Sequence, residues 1–522
     1  MQIRSGMQRL WRSNGLGWLL GLGVFGYLMA FPQTLNGADE SFILYGASRI
    51  LKGQAIYRDF FEFITPGSFY LFAGVFAIAG PSLLAARAVM AATNALSCVF
   101  LFRLTRQVAS ALEACAAVVV FVVLCLPVWR MASPHWLSTT LCLATATLLL
   151  SECWTETARA RAVAVGVLAG LTFCTQQHRG VFLTIWVTAT IVALSYLAPR
   201  ALGWRCKRQI AWVALGWLAV TAGILGHAAW QGSLRRLLYA TFTFVFRNYF
   251  TAVHGTNLSG KVSWAGIAPL TGGLVAATWL KMFELFPWVL VLEALALAWA
   301  VRRGVSRTLL VRGAALLLAG LMSVCILYLP DFIHVAFIAP FFLIVTAALV
   351  DRLRSLSVWN RPRFLRMAPP AALIVVCAVL LSKGRMNLQN AWRQVPERFE
   401  TAVGELDSTT PMREAFQTVR VVLATTPSSH KTLFSYPADA WFYLAVPADN
   451  PTPFDLLLRG YNTPEQFREA AAALREHPPD GLVVSAVSAS LRRYPELDAV
   501  LRDYQLAARV SGYEVYVRKP PK

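Results

Sequence analysis

The chain has 522 residues, 57% of them hydrophobic and only 14% charged, with a mean hydropathy of +0.53. Soluble domains carry about 25% charged residues, so this balance, together with repeated apolar runs of roughly 20 residues, excludes an ordinary soluble globule and points to a polytopic membrane protein. The formal charge of +21 sits mostly in short loops between apolar runs, where cytoplasmic loops concentrate Lys and Arg, and it gives no reason to invoke nucleic acid.

In chain order, Arg4, Arg9 and Arg12 precede the first span, about 14–33. The positive-inside rule therefore puts the N-terminus in the cytoplasm. This run lacks an A-x-A-like cleavage site and is expected to stay in the membrane. A loop over 34–80 then lies outside, with a short apolar segment, 66–80, along the membrane surface. Spans follow at about 82–104, 111–129 and from 134, then at 162–177, 180–198, 209–230, 283–301, 313–329, 335–350 and 368–382. Arg103 and Arg106, Arg159 and Arg161, Arg205 and Lys207, Arg302 and Arg303, and the basic stretch 351–367 mark the inner loops. Charge and alternation agree, giving about eleven helices with the long loops outside.

The composition turns soluble near 384, which divides the chain into a membrane domain, 1–383, and an external α/β domain, 384–522. Thr463-Pro464-Glu465-Gln466 has a Thr cap, Pro in the first turn and Gln three residues after the cap, as a helix start requires. Pro478-Pro479 ends that helix, and Gly481–Ser485 reads as a strand. A helix over 496–508 and a last strand at Tyr513–Val517 complete the unit. It has no Gly-rich phosphate loop, so a structural or acceptor-handling role is expected of it. Eight of the nine cysteines lie in or beside apolar runs, Cys206 lies in a basic loop, and their spacing matches no metal or redox motif. A divalent cation is neither required nor excluded.

The candidate chemistry gathers on the external side. The opening loop carries Asp39, Glu40, Arg58, Asp59 and Glu62 among aromatics, and later loops add His135, His178, Arg179, Asp331 and His334. An external site has no access to cytoplasmic nucleotide sugars, so its sugar would arrive on a polyprenyl phosphate. One carboxylate then suffices as base for the acceptor hydroxyl, because a phosphate leaves without a protonating acid, unlike the alkoxide of a glycosidase. Arg58 or Arg179 would balance the phosphate charge, and His135 and His334 would hold the phosphate or a sugar hydroxyl.

The strings N-G-A-D-E-S-F, G-Q-A-I-Y-R-D-F-F and T-P-G-S-F-Y, with P-H-W-L-S and P-D-F-I-H further on, resemble bacterial GT-C glycosyltransferases of the protein-mannosyltransferase and lipid A aminoarabinose-transferase type. The resemblance covers about 1–383 and is strongest in the first 140 residues. It implies a GT-C fold in the inner membrane, a polyprenyl-phosphate sugar donor, and a glycan, lipid or protein acceptor in the cell envelope. It also implies that the acidic residue after the first helix, Asp39 with Glu40 beside it, is the base. Many relatives carry a second acidic residue in the next external loop, where this chain has His135 and no carboxylate between Trp129 and Trp136.

Each residue also has a plainer role open to it. Asp39-Glu40 can begin a helix, Arg58-Asp59 can be a local ion pair, and His135-Trp136 can be an interfacial anchor. His178, Arg179, Asp331 and His334 can be the polarity of water-facing turns. Two other functions are open, a lipid or sugar flippase and a membrane scaffold with an external binding domain. A flippase should show inverted repeats and midplane charges, and the sequence has neither.

Overall fold

The computed structural model describes residues 2–35, 39–151, 159–197, 207–249, 274–328, 332–355, 363–458, 461–485 and 495–519. The membrane part is α1 (Gln2–Met29), α2 (Asp39–Leu51), α3 (Gly67–Ala79), α4 (Leu83–Thr105), α5 (Ala111–Val120), α6 (Pro134–Leu149), α7 (Arg159–Thr175), α8 (Gln177–Leu197), α9 (Lys207–Trp230), α10 (Leu234–Leu238), α11 (Leu274–Val301), α12 (Arg307–Val324), α13 (Phe332–Arg354) and α14 (Arg363–Arg393). Within the described residues the expected apolar runs fall on these helices, the run at 111–129 continuing past α5 through two irregular turns, and the short segment expected at 66–80 is α3. Among the described residues seven helices are long and apolar enough to cross a membrane. At 16 and 17 residues, α6 and α7 stand at the short end of what a bilayer core needs.

Local chemistry sets the ends that matter for the site. Ser82 caps α4 by accepting from the Ala85 N–H, and Ser110 caps α5 by accepting from the Leu112 N–H. After α5 the chain widens into a π turn at Phe121–Cys125 and tightens into a 3-10 turn at Leu126–Trp129. Pro127 accounts for this break, since it has no N–H for the carbonyl of Val123 and its ring crowds that turn. The broken end lifts Trp129 into the loop before α6, where Ser133 caps the new helix by accepting from the His135 N–H and Pro134 fills its first position.

The C-terminal part begins with a hairpin, β1 (Glu397–Thr401) and β2 (Gly404–Ser408), in antiparallel register from Glu397↔Ser408 to Thr401↔Gly404. It continues through α15 (Thr410–Ala424), β3 (Leu433–Tyr436), α16 (Trp441–Ala445), α17 (Pro464–Glu476), β4 (Gly481–Ser485), α18 (Pro495–Leu501), β5 (Tyr504–Val510) and β6 (Tyr513–Arg518). The sheet order is β3-β4-β6-β5, with β3 and β4 parallel and the other pairs antiparallel. The Thr463–Gln466 capping box is fully formed. The helix expected over 496–508 is corrected: it stops at Leu501, and Tyr504–Val510 is a strand paired with β6. Pairing to a neighbouring strand outweighs the weak helical preference of that stretch.

This part rests directly on the opening loop. Tyr45 of α2 stacks on Tyr443 at 4.7 Å, and its hydroxyl accepts from the Asn450 N–H at 2.8 Å. The Phe61 N–H donates to the Pro453 carbonyl at 2.8 Å. Arg49, buried at 4% exposure, is ion-paired to Asp455 at 2.8 Å.

Candidate active site

Asp39 and Glu40 open α2 side by side but meet different surroundings. Glu40 is fully buried, its Oε2 accepting from Arg87 Nη2 of α4 at 2.8 Å and its Oε1 from the Ala132 N–H at 2.9 Å. It therefore ties α2 to α4 and to the loop before α6. Asp39 as a residue is half-buried, with a long 3.5 Å contact from Ser133 Oγ to its Oδ2. Burial raises its carboxyl above the ordinary Asp range, and the charge of His334, the Trp129 indole and the Ser133 hydroxyl pull it part of the way back. The indole N–H of Trp129 is itself buried with no hydrogen-bond partner in place. Asp39 is thus the acid of the two that is not held in an ion pair with an arginine.

Beyond Asp39 the first turns of α6, α8 and α13 bring three histidines together. His135 lies flat on Phe337 with centroids 4.5 Å apart and planes within 1°, and meets His334 edge-on at 5.2 Å. Tyr328 stands between His334 at 5.4 Å and His178 at 5.8 Å. All four of these polar rings are partly exposed. The Gln176 side chain bridges Ser138 Oγ and His135 Nδ1, each at 2.8 Å.

Arg179 lies beneath this cluster with no exposure at all. Its Nη1 donates to the His135 carbonyl at 3.1 Å, Ser138 Oγ at 3.2 Å and Thr139 Oγ1 at 2.6 Å, while Nε and Nη2 have no partner. Its hydrogen-bond partners are all neutral, so its charge projects uncompensated toward the histidines, and a buried cation of that kind favours an anion nearby.

The other nominated residues divide. Glu62 is partly exposed, and its carboxyl is raised well above the usual range by burial first and then by Asp455 and Asp39, against the opposing charge of Arg49. It lies near enough to both Asp39 and Asp455 to feel the charge of each. Arg58 and Asp59 stand apart at the surface. They pair with each other at 2.8 Å, Asp59 accepts from the Ala55 N–H at 2.7 Å, and Arg58 donates to the Gln231 carbonyl at 3.0 Å. These contacts pin the loop to the turn after α9. Asp331 lies outside the described residues. Among those residues no group of three or more His, Cys, Asp or Glu side chains is placed to hold a metal ion.

Sequence reasoning passed over Trp129, Tyr328, Gln176 as the partner of His135, and the Arg49–Asp455 pair. The only signal for Trp129 and Tyr328 is an aromatic at the external end of a span. Nothing local marks an ion pair whose partners are 406 residues apart.

This bundle of apolar helices, with a small α/β unit packed over the segment that follows the first of them, has the GT-C fold. Over 97% of its length the chain is similar to ArnT from Cupriavidus metallidurans bound to undecaprenyl phosphate, with 99% of that chain covered, 14% identity and a TM-score of 0.54. It is likewise similar over 97% of its length to the oligosaccharyltransferase of Archaeoglobus fulgidus in complex with Zn and sulfate, covering 73% of that chain at 11% identity and a TM-score of 0.55. The likeness therefore reaches past residue 383 into the C-terminal part. No family model matches the sequence, and no curated protein matches it.

Proposed function

We propose that the protein is an inverting membrane glycosyltransferase that moves a sugar from a polyprenyl phosphate to a hydroxyl of a glycan, lipid or protein in the cell envelope. The observation that carries this reading is the pairing of a carboxyl not held in an ion pair with an arginine, Asp39, with a histidine cluster backed by the uncompensated charge of Arg179. Asp39 takes the proton from the acceptor hydroxyl. The oxygen attacks the anomeric carbon from the face opposite the phosphate, the carbon–oxygen bond to that phosphate breaks, and the polyprenyl phosphate leaves with the electron pair. Arg179 and His135 stabilise the negative charge on the leaving oxygens. An apolar groove of about 580 Å³ between α3, α4, α6, α7 and α9, lined by Leu71, Leu96, Leu141, Leu171 and Ile224, suits a prenyl chain held within the bilayer. The basic inner loops support a bacterial inner-membrane protein with a cytoplasmic N-terminus and a periplasmic C-terminal domain.

The test is to add purified protein to labelled polyprenyl-phosphate sugars and follow release of the lipid phosphate. Asp39→Asn should lower the rate by roughly 10²–10⁴-fold, the usual worth of a general base, with its unfolding midpoint unchanged. Glu40→Gln should instead lower the midpoint, because it leaves Arg87 buried without its counter-charge. Full activity in Asp39→Asn would overturn the assignment.

A further inference from the structure

A second cluster of cations lies on the other side of the loop that carries Ala132 and Ser133. The ends of α1 and α4 and the turn at Leu126–Met131 enclose a small cleft lined by Phe31, Gln33, Arg87, Asn94 and Arg130 among apolar side chains. The Arg130 guanidinium sits over the Phe31 ring at 4.1 Å. It makes no hydrogen bond and no ion pair with any described residue. Burial, and then the charge of Arg87, pull it down to about 10. Arg87 gives one nitrogen, Nη2, to Glu40 and to the Thr34 carbonyl, and its Nε is buried with no partner. Asn94 is 6% exposed, and its side-chain oxygen also lacks a partner. Since amide oxygen and nitrogen are exchangeable in assignment, Asn94 can present N–H groups to an anion.

Two guanidiniums thus face one carboxylate, and the excess positive charge is held in a desolvated cleft with idle donors. A buried donor left without a partner costs about 1–3 kcal/mol, more when it is charged, so the idle Nε of Arg87, with the half-buried Arg130 guanidinium and the Asn94 amide beside it, favours an occupant that satisfies them together. Guanidinium groups on different walls, with an amide between them, suit a tetrahedral anion with several oxygens. We propose that this cleft is a phosphate-binding site. The cleft lies where α1 ends and α4 begins, beside the opening loop, so its phosphate comes either from a lipid headgroup or from a soluble phosphate. None of the three histidines takes part, and failure of this proposal would leave the assignment of Asp39 untouched.

The full-length protein in phosphatidylcholine nanodiscs tests it through ligand-dependent thermal stabilisation. One arm titrates inorganic phosphate against chloride at matched ionic strength. The other replaces part of the phosphatidylcholine with phosphatidic acid. Saturable stabilisation by inorganic phosphate, weakened about tenfold or more in Arg130→Gln and partly kept in Arg130→Lys, supports the site with a soluble source. The same pattern confined to phosphatidic acid supports it with a lipid source. Asn94→Leu, which fills the cleft and leaves both arginines in place, should lose the effect as well and serves if Arg130→Gln does not fold. No stabilisation in either arm, or equal stabilisation of wild type and both cleft variants, overturns the proposal.

Discussion

The carboxyl of Asp39 is subject to two opposed effects. Burial lifts its carboxyl, and the neighbouring charge of His334 lowers it by less. A general base acts in its deprotonated form, so the rate should climb with pH through this raised value, above the value near 4 of an ordinary Asp. Replacing His334 with Ala removes the lowering influence and should move the acid limb of kcat/KM to still higher pH. A limb at or below about 4, or one that stays in place in His334→Ala, would show that another group is titrating. The sign for stability follows from the same shift. A raised carboxyl binds its proton more tightly in the folded chain, so its contribution is most favourable below the unfolded value. It then declines as pH rises toward the folded value, and for this reason a neutral Asn at 39 should cost no stability at neutral pH. The acidic pair itself was legible in the sequence. Which of the two acids is tied up in an ion pair was not, because successive helical residues point about 100° apart and the choice is made by Arg87, 47 positions away.

Hydropathy locates the helices, but it does not say how they pack. The contact of α7 with α9 depends on glycines that no apolar average detects. A Cβ at Gly166 would lie 2.0 Å from the Val213 carbonyl oxygen, and one at Gly216 would lie 2.2 Å from that of Val163. Both obstacles are backbone, so the helices would have to separate, and small residues that allow close approach are how membrane helices associate without a hydrophobic driving force. Gly166→Ala and Gly216→Ala should each destabilise by about 1–3 kcal/mol, the usual cost of overpacking. Gly226→Ala, with nothing within 4 Å of its added carbon, should be neutral or slightly stabilising through helix propensity. Equal unfolding midpoints for all three variants in detergent titrations would refute the interlock. The apolar runs were readable because a span must be apolar along its whole length. The strand at Tyr504–Val510 was not, since its exposed edge alternates weakly and only β6 makes it a strand.

At the scale of the whole molecule, contacts sort the loops into two sets. Arg49 and Asp455 hold the C-terminal part on the same side as Asp39. At the opposite ends of the helices, Arg354 of α13 pairs with Glu113 of α5 at 3.1 Å, the Ser110 N–H donates to Asp351 at 3.1 Å, and Arg307 of α12 reaches the Leu150 carbonyl at 3.2 Å. The starts of α5 and α12 and the ends of α6 and α13 therefore share one face, and Arg307 and Arg354 lie on it. Charge alone could place the C-terminal part outside. It could not say that this part would seat on α2, because the partners are brought together by folding and by nothing in their local sequence. The arrangement predicts the behaviour of fusions to alkaline phosphatase, which needs its disulfides and so matures only on the oxidising side. Fusion after Arg518 should be active, and fusions after Arg106 or Ser355 should be inactive in cells that express them equally. Breaking the seat with Asp455→Ala leaves Arg49 buried and unpaired at a cost of about 3–5 kcal/mol, so transfer should fall while the fusion pattern stays the same. Activity at Arg106 or Ser355 would mean that the two faces had been assigned in reverse and that Asp39 opens to the cytoplasm, where no lipid-borne donor is needed.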